Sequence, residues 1–221
     1  LHITPHPQAG IDSWSQHQRV TYLKTGFVAG KASASGTMAE AVEHSLQYLH
    51  DSVLNDIAIY LRSAPARGDR AQIRDRSDWG QPSNALSALR GTDAKAWRAQ
   101  PGARVFAGNC ASCHHAEGSG SGQGLHTYPS LFHHSTTGAA DVRNLVSVVL
   151  NGVHRHMQQG EIVMPAFSEE LNDQQVADVS NFVIRQFGNP AAAKETPQQV
   201  KVLREEAKLA SPPAYMQGDT P

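Results

Sequence analysis

The sequence predicts an all-α protein, and three observations carry that expectation. Apolar residues recur at three-to-four spacing, most clearly Val176, Val179, Val183 and Phe187. That segment opens on a capping pair, Asn172 and Gln175, and stops at Gly188. The order helix, glycine, loop, methionine, helix occurs twice along the chain, at an offset of 126 residues. β-Branched residues lower the helix propensity of these segments, but the spacing outweighs the strand reading.

Taken in order, residues 11–62 hold two apolar-periodic segments, and residues 63–98 are rich in Arg, Asp, Ser, Gly and Pro. The second stretch predicts a linker or wrapping segment with a short helix near Ser83 to Leu89. Residues 99–188 predict a compact helical unit. Its first helix runs from Ala99 to Cys110 and carries Val105 and Phe106; the glycine-rich loop GSGSGQG follows, from Gly118 to Gly124. Asp141 caps a helix through Leu145, Val148 and Val149, which Gly152 stops. A loop, IVMPAF, then leads into the helix from Asn172, which is expected to meet the first helix near Gly102, Phe106 and Phe182. Beyond this unit, Thr196 caps a short charged helix with Pro197 in its first turn.

The repeat is specific in its spacing. VTYLKTG, Val20 to Gly26, lies over VSVVLNG, Val146 to Gly152; Met38 follows Gly26 by twelve residues, as Met164 follows Gly152. With a four-residue insertion, LHDSVLNDIAIYL falls on LNDQQVADVSNFV. At this offset a counterpart of Cys110 would precede Leu1. The expectation is therefore the C-terminal part of a longer protein, or a first copy without its front half.

Charge and composition exclude several classes. Lys plus Arg total 19 and Asp plus Glu total 20, for a formal net charge of -1. No basic excess points to a nucleic-acid partner, and no acidic run predicts a solvated tail. No stretch of the chain is long and apolar enough for a transmembrane helix, and LHITPHPQAG lacks the basic start and apolar core of a signal peptide. Two cysteines form no disulfide framework, but their position decides the chemistry.

Cys110-Ala111-Ser112-Cys113-His114 is the CxxCH pattern of c-type haem attachment. Thiols three apart on one helical turn can each add to a vinyl group on one porphyrin edge, and the next residue reaches the iron with its imidazole. A redox dithiol needs no following histidine. A zinc site, with nitrogen from His115, His126 or His133, would want four suitably spaced ligands. Met164, beside Pro165, is the candidate for the second axial ligand, and Met157 is the lesser one. His/Met ligation raises the potential relative to bis-His and leaves no open position for a substrate. His133, His134, His154 and His156 read as solvent-facing or backbone-satisfying residues; ligation by one of them is the minor alternative.

ARVFAGNCASCHH, GSGSGQG, YPSLF, NLVSVVLNGV, MPAF and LNDQQVADVSNFVIRQFGN together resemble a haem domain of the multihaem cytochrome c subunit of membrane-bound periplasmic dehydrogenases. These are the quinoprotein alcohol dehydrogenases and the flavin-dependent gluconate, sorbitol and fructose dehydrogenases. ITPHPQAGIDSWS, YLKTG, TMAEAVEHSLQYL and IAIYLRSAP are similar to the distal half of that subunit's second haem domain. The resemblance implies a cytochrome c haem domain at 99–190, preceded at 1–65 by a partial or degenerate cytochrome c-like domain lacking CxxCH. A linker at 66–98 would join them, and 191–221 would form a tail without a strong membrane anchor. One haem c would be held through Cys110 and Cys113, with His114 and Met164 as iron ligands. The Pro129 carbonyl would accept the imidazole N–H of His114, and Met38 would ligate a second haem, in a loop near where that haem would sit. His115 departs from the family, where a glycine usually follows the motif histidine. The implied role is electron transfer by a non-catalytic subunit, from a dehydrogenase catalytic subunit or other haem domains toward quinone or an oxidase. The implied place is the periplasm, at the outer face of the inner membrane through a complex. A haem-based catalytic or ligand-binding domain is the alternative, and a covering or docking role for residues 1–65 is a further one.

Overall fold

Ser15 starts the first helix through a reciprocal pair of bonds. Its side chain accepts from the Gln18 N–H, and the Gln18 side chain accepts from the Ser15 N–H. Helix α1 (Gln16–Thr25) ends at Gly26, whose φ of 69° lets its N–H return to the Tyr22 carbonyl. A short hairpin, β1 (Phe27–Val28) and β2 (Ala32–Ser33), leads to α2 (Thr37–His44) and α3 (Asp51–Ser63). The structure, a computed structural model, describes residues 3–68, 73–83, 99–122 and 127–210. The short helix expected near Ser83 to Leu89 lies, beyond Ser83, outside the described residues.

This N-terminal unit has its own small core. Ile11, Trp14, Tyr22, Val28, Ala32 and Ala34 form one buried cluster, and Leu23, Leu54 and Ala58 another. Trp14 meets Tyr22 edge-on at 5.3 Å between ring centroids. Met38 packs against both clusters from the first turn of α2. This corrects the expectation of a loop position: Met38, Ala39 and Val42 share one helix face, and Ala39 and Val42 are buried on it.

The second unit contains α4 (Ala103–Asn109), α5 (Ala111–His114), α6 (Arg143–Asn151), the hairpin β3 (Val153–Met157) and β4 (Gly160–Met164), α7 (Asp173–Phe187) and α8 (Pro197–Ala210). Asn172 and Gln175 form the expected reciprocal cap of α7. Val176, Val179, Val183 and Phe187 are all buried on its inner face. Helix α4 begins four residues later than expected because Gly102 has φ 83° and lies against α7. A Cβ there would sit 2.1 Å from the Asp178 carbonyl oxygen, so only glycine permits the approach. Phe106 then meets Phe182 at 5.4 Å, where the two helices were expected to touch. Asp141 accepts from the Arg143 N–H at 3.1 Å and so helps open α6, which Gly152 ends.

Three expectations need correction. The fold is mostly helical but not purely so, since both units carry a two-stranded antiparallel hairpin after a glycine. The second hairpin occupies residues read as loop, because its buried central residue is Arg155 rather than an apolar one. The unit also does not close at residue 190. Val200 and Leu203 of α8 belong to the same core as α7, each worth about 1.5–3 kcal/mol of burial. Arg204 locks α8 down by donating to Asp173 Oδ1 at 2.8 Å, to the Leu171 carbonyl at 2.9 Å and to the Ser168 carbonyl.

Residues 73–83 run as a strap between the units. Arg76 N–H donates to the Gln8 carbonyl, the Trp79 carbonyl accepts from the His133 N–H, and Ser83 N–H donates to the Glu117 carbonyl. In both units a helix ends at a glycine, Gly26 or Gly152, and a two-stranded hairpin follows; in the first unit α2 then intervenes before α3, and it has no counterpart before α7.

Candidate haem-attachment site

Helices α4 and α5 abut at Cys110, whose carbonyl accepts from the Cys113 N–H at 3.3 Å and the His114 N–H at 2.9 Å. This turn sets both thiols and the imidazole on one wall. Both thiols are free. With His114 and Met164 they line a single cavity of about 630 Å³. Burial, and then the neighbouring Cys113, push the Cys110 thiol up to about 11. A redox dithiol needs the opposite, a stabilised thiolate.

His114 is held by its Nδ1, which stands 2.9 Å from the Pro129 carbonyl oxygen. A carbonyl only accepts, so Nδ1 carries the proton and Nε2 keeps its lone pair. Burial holds His114 below the usual histidine range, against the Pro129 bond and with the help of His115. The neutral imidazole is the ligating form, and the carbonyl fixes its ring plane. Gly120 makes that contact possible: at φ 65° it lies under Tyr128 and Pro129, where a Cβ would come within 2.1 Å of the Tyr128 carbonyl oxygen. His115, standing where the family usually has glycine, has φ 60° and ψ 159°, a conformation that suits glycine and strains any side chain.

Met164 ends β4, paired with Val153 and followed by Pro165, and lines the cavity. Met157 sits at the far, turn end of the hairpin opposite Gly160 and does not line it. Met38 does not line it either. His134 does, with Nε2 3.4 Å from Ser33 Oγ and Nδ1 accepting from the Thr136 N–H. Burial and the neighbouring His114 push it down to about 4, so it stays neutral. His133 turns away to the Ser77 carbonyl at 3.0 Å, and His154 and His156 are exposed on the hairpin. His126 lies outside the described residues.

The sequence reading missed two parts of this wall. Thr21, Thr25, Phe27, Ser33 and Ala34 of the N-terminal unit line the same cavity, so that unit covers the site. Arg155 lines it too, although only 2% of its surface is exposed. Its Nη1 donates to the carbonyls of Ala34 at 2.9 Å and Gly26 at 3.3 Å, while its buried Nε has no partner. It pairs with no carboxylate among the described residues. Burial works against its charge, and Tyr22 and Glu43 offset this only in part. A buried cation without a counter-ion is costly. In sequence Arg155 looked like one more surface charge between two histidines, and no local signal marks it.

A covalently held haem fits this donor set. Two thiols stand one helical turn apart, a neutral imidazole has its free nitrogen available, and a thioether lines the same cavity. The buried Arg155 cation, with no carboxylate partner among the described residues and an unpaired Nε, suits a propionate.

Residues 99–185 match the family model described as cytochrome c. The chain is 40% identical, over 224 aligned residues and 95% of its length, to the fructose dehydrogenase cytochrome subunit of Gluconobacter japonicus, covering 46% of that relative. It is 36% identical over 89% of its length to the gluconate 2-dehydrogenase cytochrome c subunit of Pantoea cypripedii, covering 43% of it. It is 31% identical over 91% of its length to the cytochrome c subunit of the quinone-type alcohol dehydrogenase of Gluconobacter oxydans, covering 40% of it. The chain thus spans less than half the length of these relatives. Among the described residues no helix is long and apolar enough to cross a membrane.

Proposed function

We propose, from the premise that residues 99–185 are a domain of the cytochrome c family, that the chain is an electron-transfer module carrying one covalent haem c. Cys110 and Cys113 would hold it through thioether links, and His114 and Met164 would ligate its iron. The observation that carries this reading is the convergence of both thiols, a neutral His114 fixed by Pro129, and Met164 on one cavity. When bound, the haem supplies one-electron exchange between ferric and ferrous iron. The chain's own residues orient it, screen it and set its potential. Pro129 holds the imidazole, Phe27 and Ala34 of the N-terminal unit help shield the cavity, and Arg155, which lines it, would pair with a propionate. Methionine ligation would favour reduced iron and would leave no site for turnover.

By likeness to the relatives, the electron donor is a dehydrogenase catalytic subunit or a neighbouring haem domain, and the acceptor is a quinone or an oxidase, on the periplasmic side of the membrane. Residues 1–65 act here as a cover for the haem of the second unit. Met38 belongs to their core, and its packing against two apolar clusters supports that role over ligation of a second haem.

Met164→Ala tests the ligation. The variant should keep its haem through denaturation, lose the weak sulfur-to-iron absorption band, bind added imidazole and fall in potential. An unchanged spectrum and potential would place another residue on the iron. A chain matured in a host with a cytochrome c assembly system that carries no covalent haem would refute the whole reading.

A further inference from the structure

The hairpin that delivers Met164 carries a second group of ligand-type side chains, on exposed residues outside the cavity lining. His154 and His156 alternate on β3 and so share one face, and Glu161 stands directly across from His156 on β4. His156 Nε2 is 3.3 Å from Glu161 Oε1, and His154 Nε2 is 3.6 Å from Glu161 Oε2. The three donors lie within 4.8 Å of one another, and the two imidazoles tilt together at 4.3 Å between centroids. At metal–ligand bonds of about 2.1 Å, neighbouring donors of a tetrahedral ion stand about 3.4 Å apart. Each histidine nitrogen stands close to that distance from one Glu161 oxygen, His156 from Oε1 and His154 from Oε2.

A fourth residue completes the arrangement. Glu43 reaches across from α2 and places Oε1 3.0 Å from His156 Nδ1. A carboxylate on the far nitrogen fixes the tautomer that presents Nε2 outward and makes that nitrogen a better donor. Exposed histidine–carboxylate pairs alone contribute little to stability, which does not account for two imidazoles converging on one carboxylate with the second ring braced from behind.

We propose that His154, His156 and Glu161 bind a borderline divalent transition-metal ion such as Zn²⁺, Cu²⁺ or Ni²⁺, with Glu43 as the positioning residue of His156. Two imidazoles and one carboxylate select such ions over Mg²⁺ or Ca²⁺, which prefer oxygen. Three protein ligands leave a position for water or for a donor from a partner surface. The site links both strands of the hairpin and, through Glu43, ties α2 of the N-terminal unit to the strand pair ending at Met164. It does not depend on the haem assignment.

The test is calorimetric titration of the full chain with Zn²⁺ alone, repeated with Mg²⁺. The expected result is one equivalent bound at roughly 10 µM or tighter, with no Mg²⁺ binding at that level. His154→Ala and His156→Ala should each weaken binding at least tenfold, and Glu43→Gln by about tenfold. His17→Ala, at an exposed histidine of α1, should leave it unchanged. Circular dichroism of each variant separates ligand loss from misfolding, since all these side chains except Glu43 are exposed. Zn²⁺ binding weaker than ~1 mM, or His154 and His156 variants no weaker than His17→Ala, would overturn the proposal.

Discussion

Arg155→Met removes a buried charge and keeps the aliphatic stem, so the packing of β3 survives while the donors go. Two bonds are lost, from Nη1 to the Ala34 carbonyl at 2.9 Å and to the Gly26 carbonyl at 3.3 Å. A hydrogen bond from a charged group contributes about 1.5–3 kcal/mol. The Gly26 carbonyl still accepts from the Ala34 N–H at 2.7 Å, so its share belongs at the low end. The loss is then about 3 kcal/mol, less whatever is recovered by removing an uncompensated cation. With the propionate proposed above in place, that recovery vanishes and the full loss should appear. For a chain of this size it corresponds to about 9 °C in melting temperature. The assay is a thermal melt of the haem-loaded protein followed by circular dichroism, with the reduction potential measured alongside. Loss of a cation beside the haem should lower the potential by favouring ferric iron. A melt within about 1 kcal/mol of wild type, together with an unchanged potential, would refute both the bridging of the two units by Arg155 and its pairing with a propionate.

His115→Gly should stabilise the protein by about 1 kcal/mol, because φ 60° with ψ 159° strains a side chain and suits glycine; a lower melting temperature would contradict this. Arg204→Ala removes the Asp173 and Leu171 contacts at 2.8 and 2.9 Å and should cost about 2–3 kcal/mol. It should appear first as faster hydrogen exchange along α8. Asp75 accepts from Ser13 Oγ at 2.5 Å and from Ser77 N–H at 2.8 Å; burial raises its carboxyl, but these bonds and Lys31 hold it below the usual range. Its folded value is depressed, so its contribution is present above the unfolded value of about 3.9 and is lost as pH falls through the lower folded value. The stability gap between wild type and Asp75→Asn should therefore be open at neutral pH and close below about pH 4, as read from denaturation midpoints across pH.

The parts of the fold that were legible in sequence are those decided by near neighbours. The cap of α7 is a bond between residues three apart, and Gly152 ends α6 by its own backbone freedom. The grouping of Cys110, Cys113 and His114 on one wall was legible for the same reason, since all three come from one short stretch of chain. What escaped depends on distant partners. α8 looked like a charged tail because, among its described side chains, only Val200 and Leu203 are buried, and its clamp, Arg204, finds its acceptors more than thirty residues away. Arg155 escaped for a sharper reason: a buried arginine and an exposed one are identical in sequence, and its partners, Gly26 and Ala34, lie more than 120 residues earlier.

The two copies of the repeat show why equal spacing did not place equal side chains. Twelve residues separate glycine from methionine in both. In the second copy the strands are five residues each, so the hairpin fills the interval and delivers Met164 at its base, opposite Val153 and facing the cavity. In the first copy the strands are two residues each and the hairpin ends at Ser33. The chain then turns through Ser35 and Gly36 into α2 before Met38 is reached, and a residue in the first helical turn points along the helix face, toward the core. Hairpin length, not residue count, fixes where the methionine goes. The short hairpin has a different use: with its strands ending early, Phe27, Ser33 and Ala34 lie against the neighbouring unit and form part of the wall of its cavity. The carbonyls of Gly26 and Ala34 receive Arg155 there, so the geometry that moves Met38 away from a ligand position is the same geometry that turns this unit into a cover for the cavity.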